Sequence, residues 1–160
     1  VTLMGKDYEA GEEWIDTAMR LNPNSSILWG RAGYIRCWVS DFKTGIEYFN
    51  RAQRLSPSDP MTYALQTGLG MAHLFLHQWD VAIGWLRRSL TNNRNFAPTY
   101  RFLAVALVQS GRLEEAHRVI QEMATLDPLS SIQRARITGF RDEEPKRLYI
   151  ESLRGAGLPE

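Results

Sequence analysis

The chain has 160 residues, 44% of them hydrophobic and 23% charged, and its 19 basic and 18 acidic side chains leave a net charge of +1. This composition excludes a disordered chain and predicts a globular domain. No apolar run approaches the ~20 residues of a membrane span. The nearly neutral charge prepares no surface for nucleic acid or anionic lipid, so we expect neither nucleic acid nor membrane as a partner.

The single cysteine bears on the cellular location of the protein, and the first residue on whether the chain is a fragment. Cys37 has no second cysteine with which to form an internal disulfide, which fits a reducing compartment, and we expect a cytoplasmic location. The chain begins at Val1 and carries no signal-peptide pattern near it. It is therefore interpreted as a fragment of a longer protein.

An internal repeat organises most of the chain. When 37 and then a further 34 are added to the residue numbers of the segment from 28 to 57, small residues align with small ones and large with large. Gly33 falls on Gly70 and Ala104, Gly45 on Ala82 and Ala116, and Phe49 on Leu86 and Ile120. The predicted units are a half repeat over 1–23, repeats over 26–59, 63–94 and 97–128, and a C-terminal linker and helix over 129–160.

Each repeat is predicted to be a pair of amphipathic helices, because apolar residues recur at spacings of three and four on both sides of a short polar turn. The turns are Ser40-Asp41, His77-Gln78 and Gly111-Arg112. Pro57 and Pro128 follow second helices, where a residue without an N–H stops the helix. Gly33, Gly45 and Gly70 lie inside helices, where a glycine costs about 0.5–1 kcal/mol against alanine, so we expect close helix contacts there.

The repeat resembles the tetratricopeptide repeats, a family of 34-residue helix-turn-helix units with a fixed order of aromatic, small and proline positions. Trp29, Gly33, Phe42, Phe49, Ala52 and Pro57 fit this order, as do Tyr100, Leu103, Ala104, Ala116 and Pro128. The middle repeat departs from it, with an insertion around 60–62, Gln66 where Trp29 maps, and Asn92 and Arg94 in place of Leu55 and Pro57. The resemblance implies an all-α, right-handed α-solenoid of stacked helix hairpins with a C-terminal capping helix.

The resemblance also implies a binding groove, because the first helix of each hairpin lines the concave side of such solenoids. The family's groove pattern selects Arg31, Tyr34, Cys37, Trp38, Thr67, Met71, Leu74, Phe75, Arg101, Phe102, Val105, Val108 and Gln109. We expect this surface to bind a protein as an extended peptide or amphipathic helix, with Arg31 or Arg101 pairing with an acidic group. The alternative is that the chain itself covers part of the surface.

One class of partner is not expected. Family members that grip acidic C-terminal peptides of chaperones use asparagine and lysine in the groove. Tyr34, Met71 and Val105 occupy the asparagine-type position in this chain. The predicted partner is therefore a protein or peptide of acidic and apolar character that is not of this chaperone class.

A rival hypothesis is a metal site at His73 and His77, which lie four residues apart with Asp80 three further on. A stable zinc site usually needs a third or fourth protein ligand. The repeat register places His73 between paired helices, His77 in a turn and Asp80 on the next helix, so a structural role for His73 is preferred. With no glycine-rich phosphate loop, no GxSxG and no Cys-His pairing, we expect a non-catalytic protein without a cofactor.

The C-terminal segment breaks the repeat. Pro145 predicts the start of a helix, and Leu148, Ile150 and Leu153 give this helix a partial apolar face. A solenoid needs a terminal element over its last exposed face, so the helix is interpreted as a cap. The alternative is a built-in ligand that folds across the groove.

Two further hypotheses concern assembly. The terminal LRGAGLPE resembles the ends of bacterial proteins in which a class III adenylate or guanylate cyclase-type signalling domain precedes tetratricopeptide repeats, which implies a regulatory or assembly module. The edge of the half repeat, around Trp14, Ile15 and Met19, is a candidate surface for homo-oligomer formation.

Overall fold

The computed structural model describes residues 8–137 and 139–160, and within these residues it contains helices, turns and loops but no β-strand. The helices are α1 (Tyr8–Leu21), α2 (Ser26–Trp38), α3 (Phe42–Leu55), α4 (Thr62–Phe75), α5 (Trp79–Asn92), α6 (Ala97–Gln109), α7 (Leu113–Leu126), α8 (Ile132–Ala135) and α9 (Glu143–Gly155). The all-α fold predicted from the sequence is confirmed.

Three helix hairpins form the body of the protein: α2 packs against α3, α4 against α5, and α6 against α7. Each later first helix also contacts the second helix of the hairpin before it, and α1 packs on α2 in the same way. Because α4 contacts both α2 and α6, these first helices form one layer, and each second helix packs against it. In a solenoid of stacked hairpins the layer of first helices is the concave face.

The C-terminal segment belongs to the same body. Helix α9 packs against α6 and contacts α8, and its Leu153 is completely buried. The sequence-based bounds of the solenoid, 1–128, and of the C-terminal linker and helix, 129–160, stay a prediction.

The three inter-helix turns share one backbone conformation. Ser40, His77 and Gly111, which the repeat register aligns, all have positive φ, at 65°, 60° and 80°. In the second turn His77 N–H donates to Leu74 O (3.0 Å) and Gln78 N–H to His73 O (3.0 Å), the bond pair that ends a helix with a left-handed residue. His77 is therefore placed by a helix end rather than by a ligand.

Small residues at the hairpin contacts are required by space. A Cβ placed on Gly33 would lie 2.7 Å from the Phe49 ring, and one on Gly45 would lie 2.5 Å from Cys37 Sγ. Both distances are far below van der Waals contact. The expected close approach of paired helices is present at these positions.

The middle hairpin compensates for its departures from the repeat. Gln66 is buried and its Oε1 accepts a hydrogen bond from Asn92 Nδ2 at 2.8 Å, so the two polar replacements satisfy each other. A cluster of buried hydroxyls lies nearby, where Thr67 Oγ1 is 2.9 Å from Ser89 Oγ and 2.7 Å from Thr99 Oγ1. This cluster joins α4, α5 and α6 without leaving a hydroxyl unpaired.

Candidate binding groove

The predicted groove residues all lie on α2, α4 and α6, but at different depths. Cys37, Thr67, Met71, Leu74, Phe75 and Val105 are buried; Tyr34, Trp38, Arg101, Phe102 and Val108 are partly buried; and Arg31 and Gln109 are exposed. The buried set forms the floor between the helix layers. A partner can reach these six side chains only if other parts of the chain move.

Two of the floor residues have specific packing roles. Cys37 points at Gly45 of α3, and burial raises the pKa of its thiol. Thr67 belongs to the hydroxyl cluster and donates or accepts within it. The repeat pattern gave the face of the helix on which these residues lie but not how far the neighbouring helix covers them.

The arginines differ in their availability. Arg101 Nη2 is 3.0 Å from Asp127 Oδ2, and Arg134 Nη1 is 3.1 Å from the other oxygen of the same carboxylate. Arg101 is thus neutralised from within the chain. Arg31 is exposed on α2 and takes part in no ion pair among the residues that the structure describes.

The outer surface of the groove is covered by residues 139–155, which we name the groove segment. Its first part lies on the C-terminal ends of α2 and α4. Arg141 N–H donates to Trp38 O (2.8 Å), Arg141 Nη2 donates to Val39 O (3.0 Å), and the Phe140 ring packs edge-on against Phe75 with centroids 4.8 Å apart. Arg141 therefore binds carbonyls at the negative end of a helix.

The second part of the groove segment is α9, which lies on α6. The rings of Tyr149 and Phe102 have centroids 5.4 Å apart, and Gln109 Nε2 donates to Ser152 Oγ at 2.9 Å. Trp38, Phe75, Phe102 and Gln109 are predicted groove residues, so the segment crosses the groove from the first hairpin to the last. The alternative of a segment folded across the groove describes residues 139–155 better than a cap does.

The end of the chain closes this arrangement. Ile132 N–H, at the start of α8, donates to Pro159 O at 2.7 Å, and Leu158 is buried. His117 on α7 lies 3.1 Å from Gly155 O through its Nε2. The chain end thus ties α9 to the last hairpin while α9 itself lies on the concave face.

Two titratable side chains of the groove segment, Tyr149 and Asp142, have shifted pKa values. Burial raises the pKa of Tyr149 to about 12, with the charge of Arg101 acting in the opposite direction. The pKa of Asp142 is lowered by the neighbouring Ser40 hydroxyl and by the Arg141 guanidinium. Its carboxylate therefore favours the seated segment above its ordinary pKa, and this contribution is lost as pH falls through the lowered value.

The histidines of the rival metal hypothesis do not converge. His73 Nδ1 lies 2.5 Å from Gln78 Oε1, the His77 ring packs edge-on against Trp79, and Asp80 lies 3.7 Å from Arg112 Nη2. In residues 8–137 and 139–160 no three His, Cys, Asp or Glu side chains are grouped to hold a metal. His73, His77 and Asp80 thus each contact a different residue.

The N-terminal edge differs in part from the prediction. Trp14 on α1 is 71% exposed, but Ile15 is only 7% exposed because it packs in a small core with Ala32 and Ile35. Ile15 is therefore not available to a second copy. Between α1 and α2 lies an open cleft of about 800 Å³, lined by Glu13, Asp16, Met19, Arg20, Pro23 and Trp29 among others.

Solved structures with the same architecture identify the fold. No family model matches the chain. YrrB, described as a TPR protein with an unusual peptide-binding site, has a TM-score of 0.58 and 20% identity over 94% of this chain and 77% of its own. The first TPR of Spaghetti (RPAP3), bound to the HSP90 peptide SRMEEVD, has a TM-score of 0.62 and 16% identity over 83% of this chain and 90% of its own. The chain has the tetratricopeptide-repeat fold.

Other relatives match this tetratricopeptide-repeat chain over a small part of their length. A chain of the APC/C hetero-tetramer Cut9-Hcn1 has a TM-score of 0.75 and 19% identity over 94% of this chain and 27% of its own. The BBSome complex member BBS4 of Xenopus tropicalis is 31% identical over 105 residues, 66% of this chain and 20% of the relative. Protein FlbA of Caulobacter vibrioides is 26% identical over 153 residues, 91% of this chain and 25% of the relative. The chain thus spans only a fifth to a quarter of the curated relatives it matches.

No helix in the described parts of this tetratricopeptide-repeat chain has both the length and the apolar character that a membrane crossing requires.

Proposed function

We propose that this protein is a non-catalytic binding module whose concave groove takes a segment of another protein, and that the groove segment is the resident occupant which the partner displaces. The observation that carries the proposal is the seating of residues 139–155 across α2, α4 and α6. A groove that holds a non-helical stretch and a helix of its own chain has the shape and chemistry to hold a similar segment of another protein. The peptide-bound RPAP3 structure supports peptide binding by this fold.

The predicted groove residues take different parts in this proposal. Trp38, Phe102, Val108 and Gln109 lie directly under the groove segment and would contact the partner. Phe75 is contacted directly by Phe140 of the groove segment, and the other five buried residues lie beneath these contacts. Of the two arginines, Arg31 is the one proposed to pair with an acidic group, because Arg101 is already bound to Asp127.

A disulfide that locks the groove segment tests this proposal. A Cβ placed on Gly155 would lie 3.8 Å from Val108 Cγ1, so cysteines at these two positions are neighbours between which a bridge can be tested. In the Val108→Cys/Gly155→Cys protein, peptides selected from a random display library on the reduced form should bind at least ten-fold more weakly after oxidation. Fluorescence anisotropy measures both affinities, and wild type under the same two conditions is the control.

Two results would contradict the proposal. Selected peptides that bind the oxidised and reduced proteins equally would bind outside the groove. The second result is a library that yields no binder to the reduced protein, although hydrogen exchange shows that the segment opens. The groove would then bind only the segment of its own chain.

The wider context is proposed from the sequence alone. The terminal LRGAGLPE favours a cytoplasmic signalling protein of cyclase type, in which this module follows a signalling domain. None of the named relatives is described as a cyclase. The coding sequence before Val1 decides this proposal directly.

Self-association is a second candidate, favoured by the exposure of Trp14 beside the open cleft between α1 and α2. The aligned residue of the next repeat, Tyr48, is covered by Trp29 of its own first helix, with ring centroids 4.9 Å apart. If Trp14 is covered by a second copy, multi-angle light scattering will show a mass that rises with concentration, and Trp14→Glu will abolish the rise. A concentration-independent monomer would count against this candidate.

A further inference from the structure

The groove segment shows what chemistry the groove recognises, and this inference rests on the proposed function. Three adjacent residues, Gly139, Phe140 and Arg141, contact the ends of α2 and α4 directly, and Asp142 lies beside Ser40. We propose that partner segments entering the groove carry the same arrangement, a glycine followed by an aromatic residue and an arginine. The partner is thus defined by an aromatic and basic pair, in addition to any acidic group that pairs with Arg31.

The aromatic position supplies most of the recognition. Phe140 is 5% exposed and lies between Phe75, at 4.8 Å between ring centroids, and Tyr149, at 6.0 Å. Phe75 is itself stacked on Phe42 at 5.2 Å. Full burial of a phenylalanine side chain corresponds to an affinity change of roughly ten- to hundred-fold, and edge-on ring contacts add to it.

The arginine position supplies direction. Arg141 binds through both its backbone N–H and its guanidinium to consecutive carbonyls, Trp38 O and Val39 O, where α2 ends. These carbonyls carry the partial negative charge of the helix end, so they attract a cation and repel a carboxylate. The Arg141 side chain remains about half exposed, at 48%, which weakens its interaction with the carbonyls. We therefore expect Arg141 to raise the affinity several-fold, less than the Phe140 ring does.

The glycine position supplies a steric filter. A Cβ on residue 139 would lie 2.8 Å from both Trp38 Cε2 and Trp38 Nε1. The indole ring is braced by Tyr34, whose ring centroid is 5.8 Å away. A side chain at this position of a partner therefore forces the backbone away from Trp38 and away from the carbonyls that Arg141 uses.

The contact between residue 139 and Trp38 also gives a way to open the groove in the 160-residue chain. Gly139→Ala should lift the groove segment from Trp38 without changing any residue of the three hairpins. Gly155→Ala is the matched control, because its Cβ meets only Val108 Cγ1 at an ordinary 3.8 Å. Since a tethered segment competes at an effective concentration on the order of millimolar, releasing it should raise the apparent affinity for a free peptide at least ten-fold.

The experiment titrates a labelled peptide of the sequence GFRDEEPKRLYIESL, residues 139–153, into these proteins. The peptide should bind the Gly139→Ala protein at least ten-fold tighter than wild type or the Gly155→Ala protein. Peptide versions carrying Gly139→Ala or Phe140→Ala should lose at least ten-fold in affinity, and a version with Arg141→Lys should lose several-fold. If hydrogen exchange shows that Gly139→Ala leaves the segment seated, Leu153→Ala serves as the opening variant.

The outcomes separate this inference from the proposed function. Equal binding of all peptide versions to an opened protein would overturn the inference. If display-selected peptides bind the reduced Val108→Cys/Gly155→Cys protein and lose affinity on oxidation, yet lack an aromatic-arginine pair, the groove binds partners and only the stated chemistry is wrong. If neither selected nor native-sequence peptides bind an opened groove, both proposals fail.

Discussion

Replacing Gly70 by leucine is expected to unfold the protein or to lower its melting temperature by roughly 10 °C or more, because α4 and α5 touch at this residue. A Cβ on Gly70 would lie 2.4 Å from Leu86 Cγ and 2.7 Å from its Cδ2, and Leu86 is completely buried. Overpacking a filled core by one methylene or more costs about 1–3 kcal/mol, and three further carbons have no space to enter. For a domain of this size each kcal/mol corresponds to about 2–4 °C.

Alanine at the same position gives a graded version of this result. Gly70→Ala should still destabilise the protein, although alanine favours a helix by about 0.5–1 kcal/mol over glycine. Gly84→Ala on α5 is the matched control, since nothing lies within 4 Å of a Cβ placed there. That variant should gain up to about 1 kcal/mol. Urea denaturation measures the free energy of unfolding of both variants. If both variants change this free energy in the same direction relative to wild type, the helix contact at Gly70 is not as tight as described.

The repeat made this contact predictable. Gly33, Gly70 and Ala104 recur at aligned positions because each first helix meets its own second helix in the same way, and a size requirement that repeats in space repeats in sequence. The turns were predictable for the same reason, and Pro57 and Pro128 predicted the ends of α3 at Leu55 and of α7 at Leu126. What the register did not reveal is that Ser40 and His77 take the same left-handed conformation as Gly111.

The depth of the groove residues was not predictable from the pattern. The repeat places Met71 and Val105 on the face of the first helices, yet both are completely buried because neighbouring first helices pack side by side. The pattern offers Arg31 or Arg101 to an acidic group of a partner, and it does not show that Arg101 has an acidic neighbour in its own chain, Asp127. The covering of Trp38 and Phe75 by residues 139–141 joins positions about 65 to 100 apart in the chain, and no periodic signal marks a contact made once.

Two departures from the repeat pattern are related, and their relation is visible in the sequence. Gln66 and Asn92 replace an aromatic and a leucine in the same repeat, and the structure joins them by a hydrogen bond. Two polar residues at positions that are apolar elsewhere in the repeat predict such a partner, because a single buried amide without one would be costly. Paired departures are therefore more informative than either departure considered alone.

Leu153→Ala is expected to detach the groove segment without unfolding the hairpins. Leu153 is completely buried on α9, and truncating a buried leucine to alanine costs about 2–5 kcal/mol. Because α9 packs mainly on α6 and α8, this loss should fall on the attachment of the segment rather than on α3 and α4. Each 1.4 kcal/mol is a factor of ten, so hydrogen exchange of the α9 amides should quicken by more than ten-fold.

The comparison between helices decides whether the segment is a movable occupant or a structural cap. Amides of α3 and α4 should keep their exchange rates in the Leu153→Ala protein, and Glu151→Ala, at an exposed position of the same helix, should change neither set. Equal acceleration in α9 and in α3 would mean that the segment leaves only when the whole protein unfolds. A partner would then have to work against the full stability of the fold, and displacement from the groove would be too rare to serve as a binding mechanism.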